Sequence, residues 1–432
     1  MVITKRGLVL GATAVVLSTV AVTGAGLHLS QSQAFFRESP TELVDEVWQI
    51  IDREYVDATF NQVDWEAIRT DYVKNRSYNS KKDAYKAIRE MLETLEDPYT
   101  RFMDPQEFKN MQIDTSGELT GVGIQIALDE ETKKLMVISP IEDTPAFEAG
   151  ILAKDIITEI DGQSTEGMDV NDAVLLIRGK PGTKVTLTIE RGNQKVDYTI
   201  TRARIEIHPV RYSYRPEPEG DIGYIRLNQF SAIAAQEMRE AIKDLEKKQV
   251  KGYILDIRSN PGGLLYSSIE IAGMLLNEGT IVSTVNRQGK SKSEAANNRP
   301  LTDKPLVVLV DGGSASASEI LSGALQDNQR AILVGTQTFG KGLVQSVKGL
   351  HSDESGLAVT IAKYLTPSGR DINKAGIAPD VVVELTESQR KELQRDRTQV
   401  GTKADPQYVK AFQVLKQEIA QQKNSRAASS NR

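Results

Sequence analysis

The chain has 432 residues, 39% hydrophobic and 26% charged, with a formal net charge of −6. That composition is ordinary for a soluble globular protein of roughly two to four domains, and a mildly acidic balance argues against nucleic acid as a partner. The absence of cysteine excludes disulfides, thiolate nucleophiles and thiolate metal sites, and three histidines are too few for a His-rich metal centre. No metal or organic cofactor is expected.

At the N-terminus Lys5 and Arg6 precede an uncharged apolar run, Gly7 to Leu27, followed by Ser32-Gln33-Ala34 with small residues where a signal peptidase reads. Residues 1–34 therefore read as a secretory signal. The run, at about 20 residues, also has the length of an uncleaved membrane anchor. Either way the protein is expected outside the cytoplasm, and membrane association through this segment stays open.

Helical spacing follows. Leu43, Val44, Val47, Ile50 and Ile51 recur on one face after a Ser39/Thr41 start, and Ala84, Ala87, Ile88, Met91 and Leu95 on another, before Asp97-Pro98 breaks the pattern. Residues 38–112 are expected to form a small helical module. From 115 to 205 the texture turns to short strands, Val122–Leu128, Leu135–Ile138, Ile156–Ile160, Val185–Arg191 and Lys195–Arg202, with Gly-containing turns and one helix over Val170–Arg178. From 206 to 386 strands and helices alternate. The strands Gly252–Ile257 and Leu306–Val310 are almost continuously apolar, as buried sheet strands are. This segment is expected to be an α/β core. Residues 387–432 read as a charged tail with one helix near Pro406–Gln421 and a disordered end from Lys423.

Three segments carry chemistry. Gly312-Gly313-Ser314-Ala315-Ser316-Ala317-Ser318-Glu319 lies between a strand and a helix, where a serine is exposed and neighbouring N–H groups favour negative charge. The residues alone leave open which serine matters, or whether all three only cap the helix. Thr338-Phe339-Gly340-Lys341-Gly342 sets a lysine between glycines and apolar neighbours; burial would lower its pKa and make a neutral amine available as a base. In an extended chain Gln345 would share a face with Lys341. Asp256-Ile257-Arg258-Ser259-Asn260-Pro261-Gly262-Gly263 ends a strand in glycines that admit close backbone approach.

These segments, with Leu95-Glu96-Asp97-Pro98-Tyr99-Thr100-Arg101-Phe102 and Thr366-Pro367-Ser368-Gly369-Arg370 in the same order, resemble the carboxyl-terminal processing peptidases. That family includes bacterial tail-specific proteases and the cyanobacterial and chloroplast enzymes that mature a photosystem II subunit. The resemblance implies a PDZ domain followed by an α/β protease core of the ClpP/crotonase-like type. The family's nucleophile lies 25 positions before its lysine, and 341 − 25 = 316. It thus implies Ser316 as nucleophile, Lys341 as base, Gln345 as orienting partner, Asp327 in support, and the N–H groups of Gly262 and Ala317 as oxyanion donors. Leu119, Thr120, Gly121, Val122, Gly123 and Ile124 resemble a PDZ carboxylate-binding loop. Arg178 falls where a basic residue is expected to sense ligand or dock on the protease, unless it is a solvated helix-end cation.

The implied activity is a serine endopeptidase that holds protein or peptide substrates by their C-terminal tails, in a periplasm or thylakoid lumen, with homo-oligomerisation left open. Two other readings compete. One is a Ser-His-Asp hydrolase using His208 or His351; the other is an exported PDZ adaptor or chaperone on an inactive protease fold.

Overall fold

In the computed structural model the described residues are 39–430, apart from 117, 130–131, 142–143, 193, 207 and 219. The signal-like segment, with His28, lies outside them. Among the described residues no helix is long and apolar enough to cross a membrane.

The N-terminal module starts with a helix at Pro40–Glu54, capped by Ser39 in a reciprocal box with Glu42. Two elements that periodicity did not announce follow, a short helix at Trp65–Arg69 and a π turn at Thr70–Lys74. The helix Lys81–Glu93 closes the module, which packs around stacked Trp48 and Trp65 rings 6.3 Å apart. This core is not self-contained. Leu350, Leu357 and Val359, far along the chain, are buried in it, and strand Arg101–Met103 pairs antiparallel with Gly356–Leu365. The loop at Tyr99 is thereby anchored to the α/β core.

The middle domain is an antiparallel sheet around Val137, Ile157, Leu187 and Ile189, with the helix Val170–Ile177 packed on it. Its strand Ile124–Leu128 is at the sheet edge and pairs on one side only, with Leu135–Pro140.

The α/β core is a six-stranded sheet in the order Val210–Arg215, Ile222–Leu227, Gly252–Asp256, Leu306–Val310, Ile332–Gly335, Val381–Val382, parallel except for the first pair. Helices Ala234–Lys247, Leu265–Leu275 and Ala317–Asp327 contribute to the core on one face. Strands Thr280–Asn286, Ser291–Ala295 and Leu343–Gly349 join Gly356–Leu365 in a second sheet.

The C-terminal tail has the expected helix near Pro406–Gln421 but departs from expectation in an added helix and in where the last one ends. It holds a helix at Glu387–Arg395 and another at Pro406–Ser430, so the final segment is helical and not disordered at its start. Charge disguised its packing. Tyr408, Ala411, Val414 and Leu415 are buried, with Phe412 and Ile419 partly buried beside them, and together they cover the second face of the six-stranded sheet. Asp256 and Asp405, both fully buried, grip Arg258 at 2.6 and 2.7 Å, and Gln407 takes a further guanidinium bond at 2.9 Å. Removing one partner of such a buried pair strands the other charge. Asp405→Ala is therefore expected to lower unfolding stability by about 3–5 kcal/mol, measured as a fall in the urea midpoint at unchanged slope.

Candidate active site

The strand Leu306–Val310 ends in a tight turn, and the helix Ala317–Asp327 begins at Ser316. Ser316 has φ 54° and ψ −112°, a conformation that non-glycine residues rarely adopt and that costs free energy to hold. The three serines of the turn differ sharply. Ser314 is fully buried and its hydroxyl donates to Ile257 O at 2.9 Å; Ser318 is fully buried and donates to Asn260 O at 2.9 Å. Both serve the backbone. Ser316 alone of the three is partly accessible.

Gly262 lies directly against this turn. A Cβ on it would stand 2.9 Å from both Ser316 Cβ and Ala317 N, and its φ of +101° also favours glycine. Asn260 fixes the approach, its carbonyl accepting from Ala315 N at 3.0 Å and its side chain donating to Leu227 O at 2.8 Å. The Gly262 N–H, expected to face an oxyanion, here donates to Asn260 Oδ1 at 2.9 Å. This bond must open before the group can serve a substrate. The Ala317 N–H has no acceptor among the described residues.

Glu319 joins the Ser316 turn to the lysine loop. Its carboxylate is fully buried and accepts four bonds: from Ser316 N at 2.9 Å, Lys341 N at 2.8 Å, Gly340 N at 2.7 Å and Thr338 Oγ1 at 2.6 Å. Sequence reasoning quoted Glu319 within its motif but gave it no role. The available signal was a glutamate three residues after a helix-starting serine, which also reads as a simple capping box.

Lys341 is half-buried, and its Nζ lies 4.8 Å from the centre of the Tyr99 ring. Burial is the main cause holding its pKa below the ordinary 10.5; nearby Arg101 lowers it further, while Asp97 and Glu319 oppose the shift. Among the described residues Nζ makes no hydrogen bond, so neither Ser316 Oγ nor Gln345 is in contact with it. Gln345 Nε2 instead lies 3.5 Å from Thr360 Oγ1, and the strand pairing shifts register between Val344 and Gln345. Catalytic hydrogen bonds are often open without substrate.

Asp327 accepts from Ser368 N at 3.0 Å, from Ser368 Oγ at 2.7 Å and from Arg370, which orders the Thr366–Arg370 turn. Arg178 donates to Asn110 of the N-terminal module and lies along Gly121, so it is docked between domains and not a freely solvated cation. Leu119, Thr120 and Gly121 belong to a strand paired with Ala203–Glu206. Val122 is buried, Gly123 (φ +85°) has no room for a Cβ beside Thr144, and Ile124 opens the free edge strand. His208 is exposed with Nδ1 2.5 Å from Glu237, and His351 is exposed with its N–H held by Glu46; neither hydrogen-bonds Ser316. A crevice of about 1280 Å³ reaches Ser259, Asp311 and Gly312 but is not lined by Ser316, Lys341 or Gly262. It is not the cleft these residues share. Among the described residues no cluster of His, Asp and Glu is placed to hold a metal.

A partly accessible serine at a strained strand-to-helix turn, a desolvated lysine and an attached PDZ-type domain with an open sheet edge are the parts of a PDZ-containing serine peptidase. Comparison with known proteins agrees. Residues 221–383 match peptidase family S41, 122–201 the PDZ domain, and 36–93 the tricorn protease C1 domain. A carboxyl-terminal-processing protease of Synechocystis sp. is 47% identical over 84% of this chain and 85% of its own length. One of Picosynechococcus sp. is 46% identical over 88% and 90%. The chloroplastic carboxyl-terminal-processing peptidase 2 of Arabidopsis thaliana is 42% identical over 78% and 67%. Among solved structures, the photosystem II D1 C-terminal processing protease is 36% identical, covering 86% of this chain and 99% of that one with a TM-score of 0.57. The chain belongs to the carboxyl-terminal-processing proteases of peptidase family S41, and it is a hydrolase of peptide bonds.

Two outcomes follow for the site. With Lys341 as the expected base, active when neutral, kcat/KM should rise with pH through a midpoint below 10.5, and Arg101→Gln should move that midpoint up, as a pH–rate profile will show. Glu319→Gln puts an amide donor against two of the four donors now bound. Such a mismatch is expected to cost about 1–3 kcal/mol of stability and to lower kcat at least about tenfold, read by denaturant titration and steady-state kinetics.

Proposed function

We propose that this protein is an exported endopeptidase that captures the C-terminus of a protein substrate on its PDZ domain and cuts upstream of it with a Ser316–Lys341 pair. The observation that carries the reading is Glu319. One buried carboxylate binds the backbone of both residues, and so holds two distant loops in one site.

In the proposed reaction the substrate tail adds as a strand to the edge Ile124–Leu128, its carboxylate meeting the N–H groups of the Leu119–Ile124 loop. The chain then runs extended into the cleft. Neutral Lys341 removes the Ser316 hydroxyl proton as the oxygen attacks the scissile carbonyl. The Ala317 N–H, and the Gly262 N–H once released from Asn260, stabilise the oxyanion, worth about 3–4 kcal/mol per donor in comparable sites. Protonated Lys341 gives its proton to the leaving amine. Lys341 then activates water to hydrolyse the acyl-enzyme. Gln345 orients the amine once it turns from Tyr99 toward Ser316, and Asp327 supports the site through the Thr366–Arg370 turn. The signal-like N-terminus and the cyanobacterial and chloroplast relatives favour a periplasmic or thylakoid-lumen location. By the same likeness, the C-terminal extension of a photosynthetic membrane protein is the proposed class of substrate.

The test is cleavage of a protein with an apolar C-terminal tail. Ser316→Ala and Lys341→Ala should abolish it while His208→Ala and His351→Ala leave it unchanged. Amidating the substrate's C-terminus should raise KM with little change in kcat. Full activity in either of the first two variants would overturn the Ser–Lys reading.

A further inference from the structure

Tyr364 lies in the protease core and is 1% exposed. Its hydroxyl donates to the carbonyl of Ser316 at 3.2 Å and also to the carbonyl of Lys341. Its own N–H donates to Gly342 O at 3.0 Å. A buried tyrosine needs a single acceptor to be satisfied. This one instead reaches two carbonyls, and they belong to the two loops on which the proposed chemistry depends.

These bonds complement those of Glu319. The carboxylate holds the N–H groups of Ser316 and Lys341, and the phenol holds their carbonyls. Each residue is thus fixed on both sides of its Cα. A further consequence comes from the planarity of the peptide bond. The Ser316 carbonyl and the Ala317 N–H belong to one rigid unit and point in opposite directions. The carbonyl is turned inward by Glu319 N at 2.8 Å and Ile320 N at 3.0 Å, and Tyr364 adds a third bond from the lysine side, so the N–H faces outward, toward the side where an oxyanion would form. Burial, with Glu319 nearby, raises the phenol's pKa, so it stays protonated and keeps its one proton to donate.

We infer that Tyr364 is a positioning residue, which sets the nucleophile, the oxyanion donor and the base in mutual register through the carbonyls of Ser316 and Lys341. The inference rests on the Ser316–Lys341 reading. Tyr364 touches no reacting atom; it acts through the backbone of residues that do. Strand Gly356–Leu365 carries it, and Tyr364 pairs there with Thr284, so the sheet places it on one side while its N–H bond to Gly342 ties it to the lysine loop on the other.

The experiment compares Tyr364→Phe with wild type in the full chain, reading kcat, KM, the pH profile of kcat/KM and the near-UV circular dichroism. Phe keeps the ring in the core and removes only the hydroxyl. The expected result is a folded variant whose kcat falls between about 10- and 100-fold with KM within about twofold. The midpoint of its pH profile should move up toward the ordinary lysine value, because a less constrained Lys341 is better hydrated. Wild-type kcat and pH profile would overturn the inference whatever the melting temperature, since the hydroxyl would then serve stability alone. A variant that does not fold would overturn it for the same reason. Ser316→Ala and Lys341→Ala run alongside. Activity in these would overturn the Ser–Lys reading itself, whereas their inactivity beside a fully active Tyr364→Phe would overturn only the role of Tyr364.

Discussion

A single buried carboxylate organises the centre of this protein. Glu319 is fully buried, so its carboxyl oxygens must be satisfied by donors from the protein. It finds four, on two loops separated by more than twenty positions in sequence. A carboxylate that must be satisfied in this way has few alternative geometries. The strained backbone at Ser316 is tolerated for the same reason, because it presents one of the four N–H groups to the carboxylate. Strain of this kind persists only where the surroundings over-determine it, and here the helix start, the Gly262 contact and Tyr364 all do so.

Around that centre the domains contribute what the protease core cannot supply alone. The N-terminal module shares its core with the strand Gly356–Leu365 and so brings Tyr99 over the lysine amine and Arg101 near it. A lysine in a glycine-flanked loop would otherwise be solvated and charged. Desolvation by the assembled structure is what makes a neutral amine accessible. The resting arrangement keeps this amine on the aromatic ring, and the Gly262 N–H on Asn260, so two of the proposed catalytic groups are engaged elsewhere without substrate.

The C-terminal tail extends the same logic to the rear of the site. Its helix covers the second face of the six-stranded sheet, and Asp405 and Gln407 hold Arg258, four residues before Gly262. Buried ion pairs seldom add net stability, but they define geometry tightly because a misplaced partner leaves a bare charge. The loop that approaches Ser316 therefore starts from a rigid point.

The sequence by itself determined the fold class. Period-two runs, nearly continuous apolar strands and helical faces reported local burial, and burial is what these patterns encode. The ordered motifs were enough to place the chain in its family. Local pattern missed the helix Trp65–Arg69 and the strand Leu343–Gly349, and found the C-terminal helix without its packing, because their inward residues are few or meet partners far away in the chain. At the site, the sequence drew attention to Ser314, Ser316 and Ser318 alike. The family resemblance pointed to Ser316, but the physical difference appears only in tertiary structure, which buries two hydroxyls against backbone carbonyls and leaves the third accessible. Glu319 and Tyr364 were illegible as organisers of the site for the same physical reason: a residue that acts by hydrogen-bonding remote backbone has no signature in its own neighbourhood, since its partners exist only after the chain has folded.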